Sequence, residues 1–438
     1  MTRRYLLPLA VTAVLAAGLA APANAAADLA APADDAAAAP ANAGAPAAAG
    51  APAVNAPTTA SAPTAGTSWR ADLSIVDEDD SGVTSDGGTV RLDRAAPTPA
   101  SARAAVRTGF LQLAPHHLDT PANTVSAAVK STVPAGAEVA VDVRGALGDD
   151  QWTEWVEARP DAPAVLPTAT RTVQVRLALT AESPTAEKQG PEVRELTLTA
   201  TTTDSFNTEA AGLSYRIFAT REGLVGGTTA NGHVIKARDH FVALPSRRGL
   251  SANNSGTYSV RVCASNGRCE WAPVWDVGPW NTKDDYWNPA SVREMWKDLP
   301  QGKPEAQAAY QDGYNGGKDQ FGRTVANPAG IDLADGTFWD GLKLTDNAWV
   351  TVTYQWTGSG PAGYVRTAGD PLNVRSGATS TATQVGLAAN YAMVRVECQV
   401  TGQSVTGSQG TSNIWYRVAA GKYVAKAYVS GVSGATTC

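Results

Sequence analysis

Charge is scarce in this 438-residue chain, with Asp, Glu, Lys and Arg together making up 17% of it. That is too little for a charged disordered tail, and the hydrophobic 43%, inflated by alanine, contains no core segment able to span a bilayer. Basic excess is missing as well. The formal charge is −6, and removing a leader that carries only Arg3 and Arg4 takes it to −6 − 2 = −8, which excludes nucleic-acid binding driven by bulk charge. Cysteine and histidine number four each, with no CxxC and no HExxH, so zinc-finger and zincin sites are excluded and no cysteine stands out as a nucleophile. No metal and no organic cofactor is expected.

The first residues are of a different kind. Arg3 and Arg4 precede an apolar run from Tyr5 to Leu19, and Ala23-Asn24-Ala25 supplies the small residues of a cleavage site. Residues 1–25 therefore read as a signal peptide, and the protein as secreted, extracellular or cell-wall associated, with no membrane contact after the leader is removed. Residues 26–66 are almost all Ala, Pro, Gly, Asn and Thr, which cannot bury enough apolar area to offset ordering entropy, so they read as a disordered spacer.

What remains is mainly β in pattern. Within 67–204, Val139, Val141 and Val143 alternate with polar residues, as do Val173, Val175, Leu177 and Leu179, and Leu196 and Leu198. An antiparallel β-sandwich is predicted. Trp152 and Trp155 stand ready either as sugar-stacking rings on one face or as packing. In the next segment, 211–358, eight of the twelve tryptophans fall between Trp271 and Trp356. Tyr258, Val260 and Val262 form a strand, Ser265-Asn266-Gly267 a turn with Gly267 left-handed, and Glu270–Val274 the return strand. That register sets Cys263 opposite Cys269 and predicts a disulfide in an oxidising compartment. Cys398 and Cys438 then pair by elimination, with exchange to a second chain as the alternative.

Five short motifs follow in order: Thr229-Ala230-Asn231-Gly232-His233, His240–Pro245, the hairpin, Trp275-Asp276-Val277-Gly278-Pro279, and Gly330-Ile331-Asp332-Leu333. Together they resemble the double-psi β-barrel of rare lipoprotein A, expansins and family 45 endoglucanases. The resemblance implies a six-stranded barrel interrupted by a long, partly helical insertion over 281–329. Residues 368–438, with Leu372–Gly377, Trp415–Val418 and Gly421–Val424, resemble the bacterial SH3-like domain, a small β-barrel that usually binds peptidoglycan. Both resemblances point to peptidoglycan or another cell-wall polysaccharide as partner of a monomeric protein.

Asp276 is the candidate acid. Set after Trp275 and before a Gly-Pro turn, its carboxyl is expected at the barrel mouth beside an aromatic wall, where desolvation raises its pKa; capping of its own turn is the alternative. The matching Asp is essential in the lytic and cellulolytic families. Glu222, near the end of the first strand, is the nearest second acid, and His240 is placed to hydrogen-bond Asp276 across the barrel. Trp275, Trp280, Trp287 and Trp339 are the candidate sugar platforms, while Asp332 orders the strand-to-helix step or touches substrate. Asp335 and Asp340 read as solvated. The expected activity is binding or cleavage of glycan strands, as a lytic transglycosylase or glycosidase; the alternative is an expansin-like binding module without turnover. Two departures from the rare lipoprotein A pattern, His233 for a Glu and Val277 for an Arg, count against lysis.

Overall fold

A computed structural model describes residues 66–96, 107–148, 151–159, 162–181, 190–203 and 212–438. The expected leader and nearly all of the spacer lie outside the described residues. The described chain is mainly β, with one short α-helix.

Ten strands form the N-terminal sheet: β1 (Thr67–Arg70), β2 (Val83–Asp86), β3 (Thr89–Leu92), β4 (Arg107–Gln112), β5 (His116–Thr132), β6 (Ala137–Gly148), β7 (Gln151–Trp152), β8 (Val156–Glu157), β9 (Ala164–Ala181) and β10 (Glu192–Thr201). Strands β5 and β9 hold it together because each is long enough to serve two neighbours. The second half of β5 pairs with β10 and its first half with β9, whose own second half pairs with β6 and β4. Register shifts in the β5–β9 ladder let the sheet fold over an apolar core. That core takes Val141, Val143, Val173, Val175, Leu177, Leu179, Leu196 and Leu198, the alternating positions of the sequence.

A closed six-stranded barrel follows: β11 (Ser214–Arg221), β12 (Val242–Leu244), β13 (Ser259–Cys263), β14 (Cys269–Val277), β15 (Ala329–Leu333) and β16 (Ala348–Tyr354). The ring runs β11-β15-β12-β14-β13-β16 and back to β11, with β11–β15 and β12–β14 parallel and the other pairs antiparallel. The β13–β14 hairpin has the expected register, Cys263 facing Cys269 across a turn in which Gly267 takes φ 82°, and the two cysteines are disulfide-bonded. Between β14 and β15 the chain makes a long excursion that contains α1 (Glu305–Asp312), stopped by Gly313 in the left-handed conformation.

The last strands are β17 (Ala362–Val365), β18 (Leu372–Arg375), β19 (Gln384–Ala388), β20 (Met393–Arg395), β21 (Cys398–Gly407), β22 (Gly410–Ala419), β23 (Lys422–Ala425) and β24 (Val429–Ser430). They do not hang free of the barrel. Strand β19 pairs with β14 in parallel, so β18, β19 and β21–β23 continue the barrel sheet, while β17, β20 and β24 form a separate three-stranded sheet. The junction depends on Gly386, where a Cβ would stand 2.0 Å from the Cys269 carbonyl oxygen. A second disulfide joins Cys398 to Cys438.

The segment around Trp152 and Trp155 docks the N-terminal sheet on the barrel. Trp155 is fully buried in the barrel's apolar cluster, Tyr258 donates its hydroxyl to the Thr153 carbonyl (2.7 Å), and Arg144 lies over Trp152 and Trp155. Packing, the second of the two sequence readings, describes Trp155. Around it runs a buried ionic chain: Asp142 meets Arg176 (2.8 Å) and Arg247 (3.3 Å), Arg247 meets Glu157 and Glu294, and Arg248 meets Asp285 (2.7 Å).

Candidate active site

Four neighbouring barrel strands build the site. Ile217 and Ala219 of β11, Ile331 and Leu333 of β15, and Val242 and Leu244 of β12 fill the barrel interior, so the intervening residues face outward. Register aligns these into one row: Thr220 opposite Asp332, Asp332 opposite Ala243, and Ala243 opposite Asp276. An irregularity between Val242 and Ala243 advances β14 by one residue, which brings Asp276 rather than Trp275 into the row. Just past the row, the Glu222 N–H donates to the Leu333 carbonyl (2.9 Å), extending the β11–β15 ladder.

The row borders a cleft of ≈ 220 Å³ between the barrel wall and the N-terminal sheet. Glu222, Thr220, Asp332, Trp280 and Asn281 line it from the barrel side, and Phe110, Glu138, Ala140 and Ala178 from the sheet. The apolar contact of Phe110, Ala140 and Ala178 with Ala230, Leu250 and Val277 fastens the two walls together.

Asp276 lies beneath this surface. It is 0% exposed, and its Oδ1 accepts the backbone N–H of Ala230 and of Val277, each at 2.8 Å. The expected place at an open barrel mouth is therefore corrected: the loop carrying Ala230 seals the carboxyl in. Glu222 borders the cleft instead. The residue is 8% exposed and lines the cleft, its two carboxyl oxygens are themselves buried, and neither meets a protein N–H or O–H donor among the described residues. It lies against the Asp276 carboxyl, whose negative charge disfavours ionisation of Glu222. Burial, then the Asp276 charge, then Asp332 and Asp335 hold the Glu222 pKa well above the ordinary carboxyl range. Asp332 is half-buried in the cleft and accepts the Thr220 hydroxyl.

The other expected site residues are dispersed. His240 Nδ1 bonds Glu270 Oε1 (2.9 Å) rather than Asp276, and although burial opposes a charged imidazole, Glu270 raises its pKa overall. Trp275 is buried against His233, Phe241 and Tyr391 and donates its indole N–H to the Ser255 carbonyl (2.7 Å). Trp287 is fully buried in the barrel cluster, its N–H on Glu154 Oε1 (3.2 Å). Trp339 is 36% exposed, but Arg221 and Arg238 stack on it, at 4.7 and 5.0 Å. Three of the four platform positions thus do not line the cleft, and Trp280 does. Asp335 is buried against Arg221 (2.6 Å) rather than solvated, and Asp340 pairs with Arg238 (3.3 Å). Residues missed in sequence are the far wall and Asn281, Asn327 and Arg323 of the excursion, none of which lies in a recognisable motif.

Among the described residues no group of His, Cys, Asp and Glu is placed to hold a metal ion, and no helix is long and apolar enough to cross a membrane. A family model described as "Domain of unknown function (DUF8814)" matches residues 213–353, a stretch that coincides with the closed barrel and its excursion. No curated protein and no solved structure matches the chain.

Proposed function

We propose that this is a secreted cell-wall protein that holds a wall polysaccharide, peptidoglycan glycan strands foremost, in the cleft and cleaves it with Glu222 as proton donor. The observation that carries the proposal is a buried carboxyl, Glu222, set on a cleft wall against Asp276 and one strand away from a second acid, Asp332. Glycosidic hydrolysis usually relies on that pairing. Glu222 protonates the leaving oxygen; Asp332 then takes a proton from the attacking water, or the sugar's own 6-hydroxyl attacks and the Glu222 carboxylate takes that proton. Asp276 is a positioning residue, keeping the Glu222 proton in place from beneath.

The cleft's cations support an uncharged polymer. Arg221 is paired with Asp335, Arg247 with Asp142, Glu157 and Glu294, Lys283 with Glu138 and Arg323 with Asp319, which leaves their charges already satisfied. The two parallel pairings inside the closed ring support reading the barrel as double-psi. The small curled sheet of β18, β19 and β21–β23 supports an SH3-like wall-binding barrel, and the folded N-terminal sheet a β-sandwich. All four cysteines are in disulfides, which suits an oxidising compartment.

Digestion of purified sacculi, read by mass spectrometry of the released sugars, tests the proposal. Anhydro ends mark intramolecular attack, and reducing ends carrying solvent oxygen mark hydrolysis; release of either should fall by about 10²–10⁴-fold in Glu222→Gln. A second reading, an expansin-like wall binder without turnover, is favoured by the sealed Asp276. Retention on sacculi with no release would establish it, and no retention would remove both.

A further inference from the structure

Eight described residues other than glycine have φ in the left-handed region, which for a bulky side chain costs about 1–3 kcal/mol. Two of them, Leu224 (φ 53°) and Trp280 (φ 61°), line the cleft. They arise in the same way. Leu224 comes two residues after Glu222, beyond the end of β11, and Trp280 four residues after Asp276, beyond the end of β14. Each acid-bearing strand thus runs out into a turn that presents one large apolar side chain to the same cavity.

Folding does not account for Leu224. The residue is 37% exposed, beside Val225 at 54%, so burial supplies little to offset its strained backbone, and Gly or Asn would hold that conformation at less cost. Trp280 is braced: its indole N–H donates to Asn327 Oδ1 (3.1 Å), its carbonyl accepts from the Arg323 guanidinium, and its ring packs on the cluster of Ala306, Ala309 and Val325. A pyranose ring is apolar on its C–H faces and polar at its rim, and the faces are cleanest when every hydroxyl is equatorial. Apolar walls with a few placed polar groups suit such a ligand.

We infer that Leu224 and Trp280 are the apolar contacts of one subsite that clamps a sugar ring by its faces beside Glu222, selecting rings with all-equatorial hydroxyls over those with an axial one. The inference rests on the glycan reading above and names the sugar class of that site. Its test is calorimetric titration of the purified chain with three probes: cellohexaose, the β-1,4-linked N-acetylglucosamine hexamer, and mannohexaose, which differs from cellohexaose only by an axial 2-hydroxyl. The wild type should prefer the first two. Leu224→Asn, which tolerates the backbone, should weaken them by about 10–200-fold, the range for losing a small apolar contact, and should erase the preference over mannohexaose. Its melting temperature should hold or rise, and Leu224→Met should bind as the wild type does. If Leu224→Asn binds like the wild type, or loses melting temperature together with affinity, the clamp is wrong and the glycan reading stands. Should the wild type bind none of the three, both fall.

Discussion

Replacing Glu222 by Gln tests the site without any knowledge of the substrate. In the folded chain Glu222 is buried against Asp276 with its pKa raised, first by desolvation and then by the Asp276 charge. A carboxyl whose folded pKa lies above its unfolded one contributes stability that is fully present below the unfolded value, and this is lost as pH rises through the folded value. Each pH unit between the two is worth about 1.4 kcal/mol. The wild type should therefore lose stability against Glu222→Gln from about pH 4.5 upward, until the folded pKa is passed, after which the gap stays constant. Other buried acids titrate too, including Glu305 at about 7 and Asp284 at about 6, so the difference between the two proteins is the quantity to measure. Scanning calorimetry from pH 4.5 to 9 gives that difference directly. Asp276→Asn keeps an Oδ1 acceptor for the Ala230 and Val277 amides and should narrow the window without closing it. Over the same range, Glu222→Gln should cost about 10²–10⁴-fold in glycan cleavage, the usual contribution of a general acid. A gap that is flat in pH would mean that Glu222 ionises as an ordinary surface acid, and the proton-donor argument would fail whatever the enzyme assay shows.

Three further outcomes follow from the packing. Glu154, held at about 7 by burial and by Asp285, ties the N-terminal sheet to Trp287 and Asn288; Glu154→Gln should flatten the fall in melting temperature between about pH 4.5 and 7, and an unchanged profile would place the titration elsewhere. Removing the Cys398–Cys438 link, which closes a separation of 40 residues, should cost about 4 kcal/mol in urea unfolding, against about 2 kcal/mol for Cys263–Cys269 with its separation of 6, and equal costs would refute the chain-entropy account. Trp287→Ala should cost about 3–5 kcal/mol while leaving the glycan affinity of the surviving folded fraction unchanged, because the ring fills the barrel core rather than the cleft; a selective loss of binding would restore it as a platform.

Much of the strand pattern could be read from local chemistry. Alternation located the apolar positions of β6, β9 and β10, and Ser265-Asn266-Gly267 located the hairpin with its disulfide, because those signals lie within a few residues of one another. The fates of the tryptophans could not be read this way. An indole ring suits a core and a sugar face equally well, and which it meets depends on what another part of the chain brings over it. Trp155 enters the barrel cluster beside Tyr258 with Arg144 over its ring, and Trp339 is stacked on by Arg221 at the end of β11 and by Arg238 from the loop before β12.

The placement of the acids shows the same limit more sharply. Strict alternation along β14 puts Val274 and Asp276 on one face, and Val274 points into the barrel; a single shifted residue against β12 turns Asp276 out to join Asp332. Nothing in the sequence of β14 marks that shift, since the partner strand β12 is only three residues long and lies far back in the chain. Once the row exists, burial divides the labour between the carboxyls. The one that meets two backbone amides is fixed under the Ala230 loop, and the one that meets no donor, its pKa raised by burial and by the Asp276 charge, borders the cleft. A glycan-cleaving site needs that asymmetry more than it needs any particular residue, because two equivalent carboxylates at one wall would share their charge and neither would be reliably an acid. The proposed choice of Glu222 over Asp276 as donor therefore rests on which carboxyl the backbone claims, a fact of tertiary structure that the Gly-Pro turn after Asp276 does not encode.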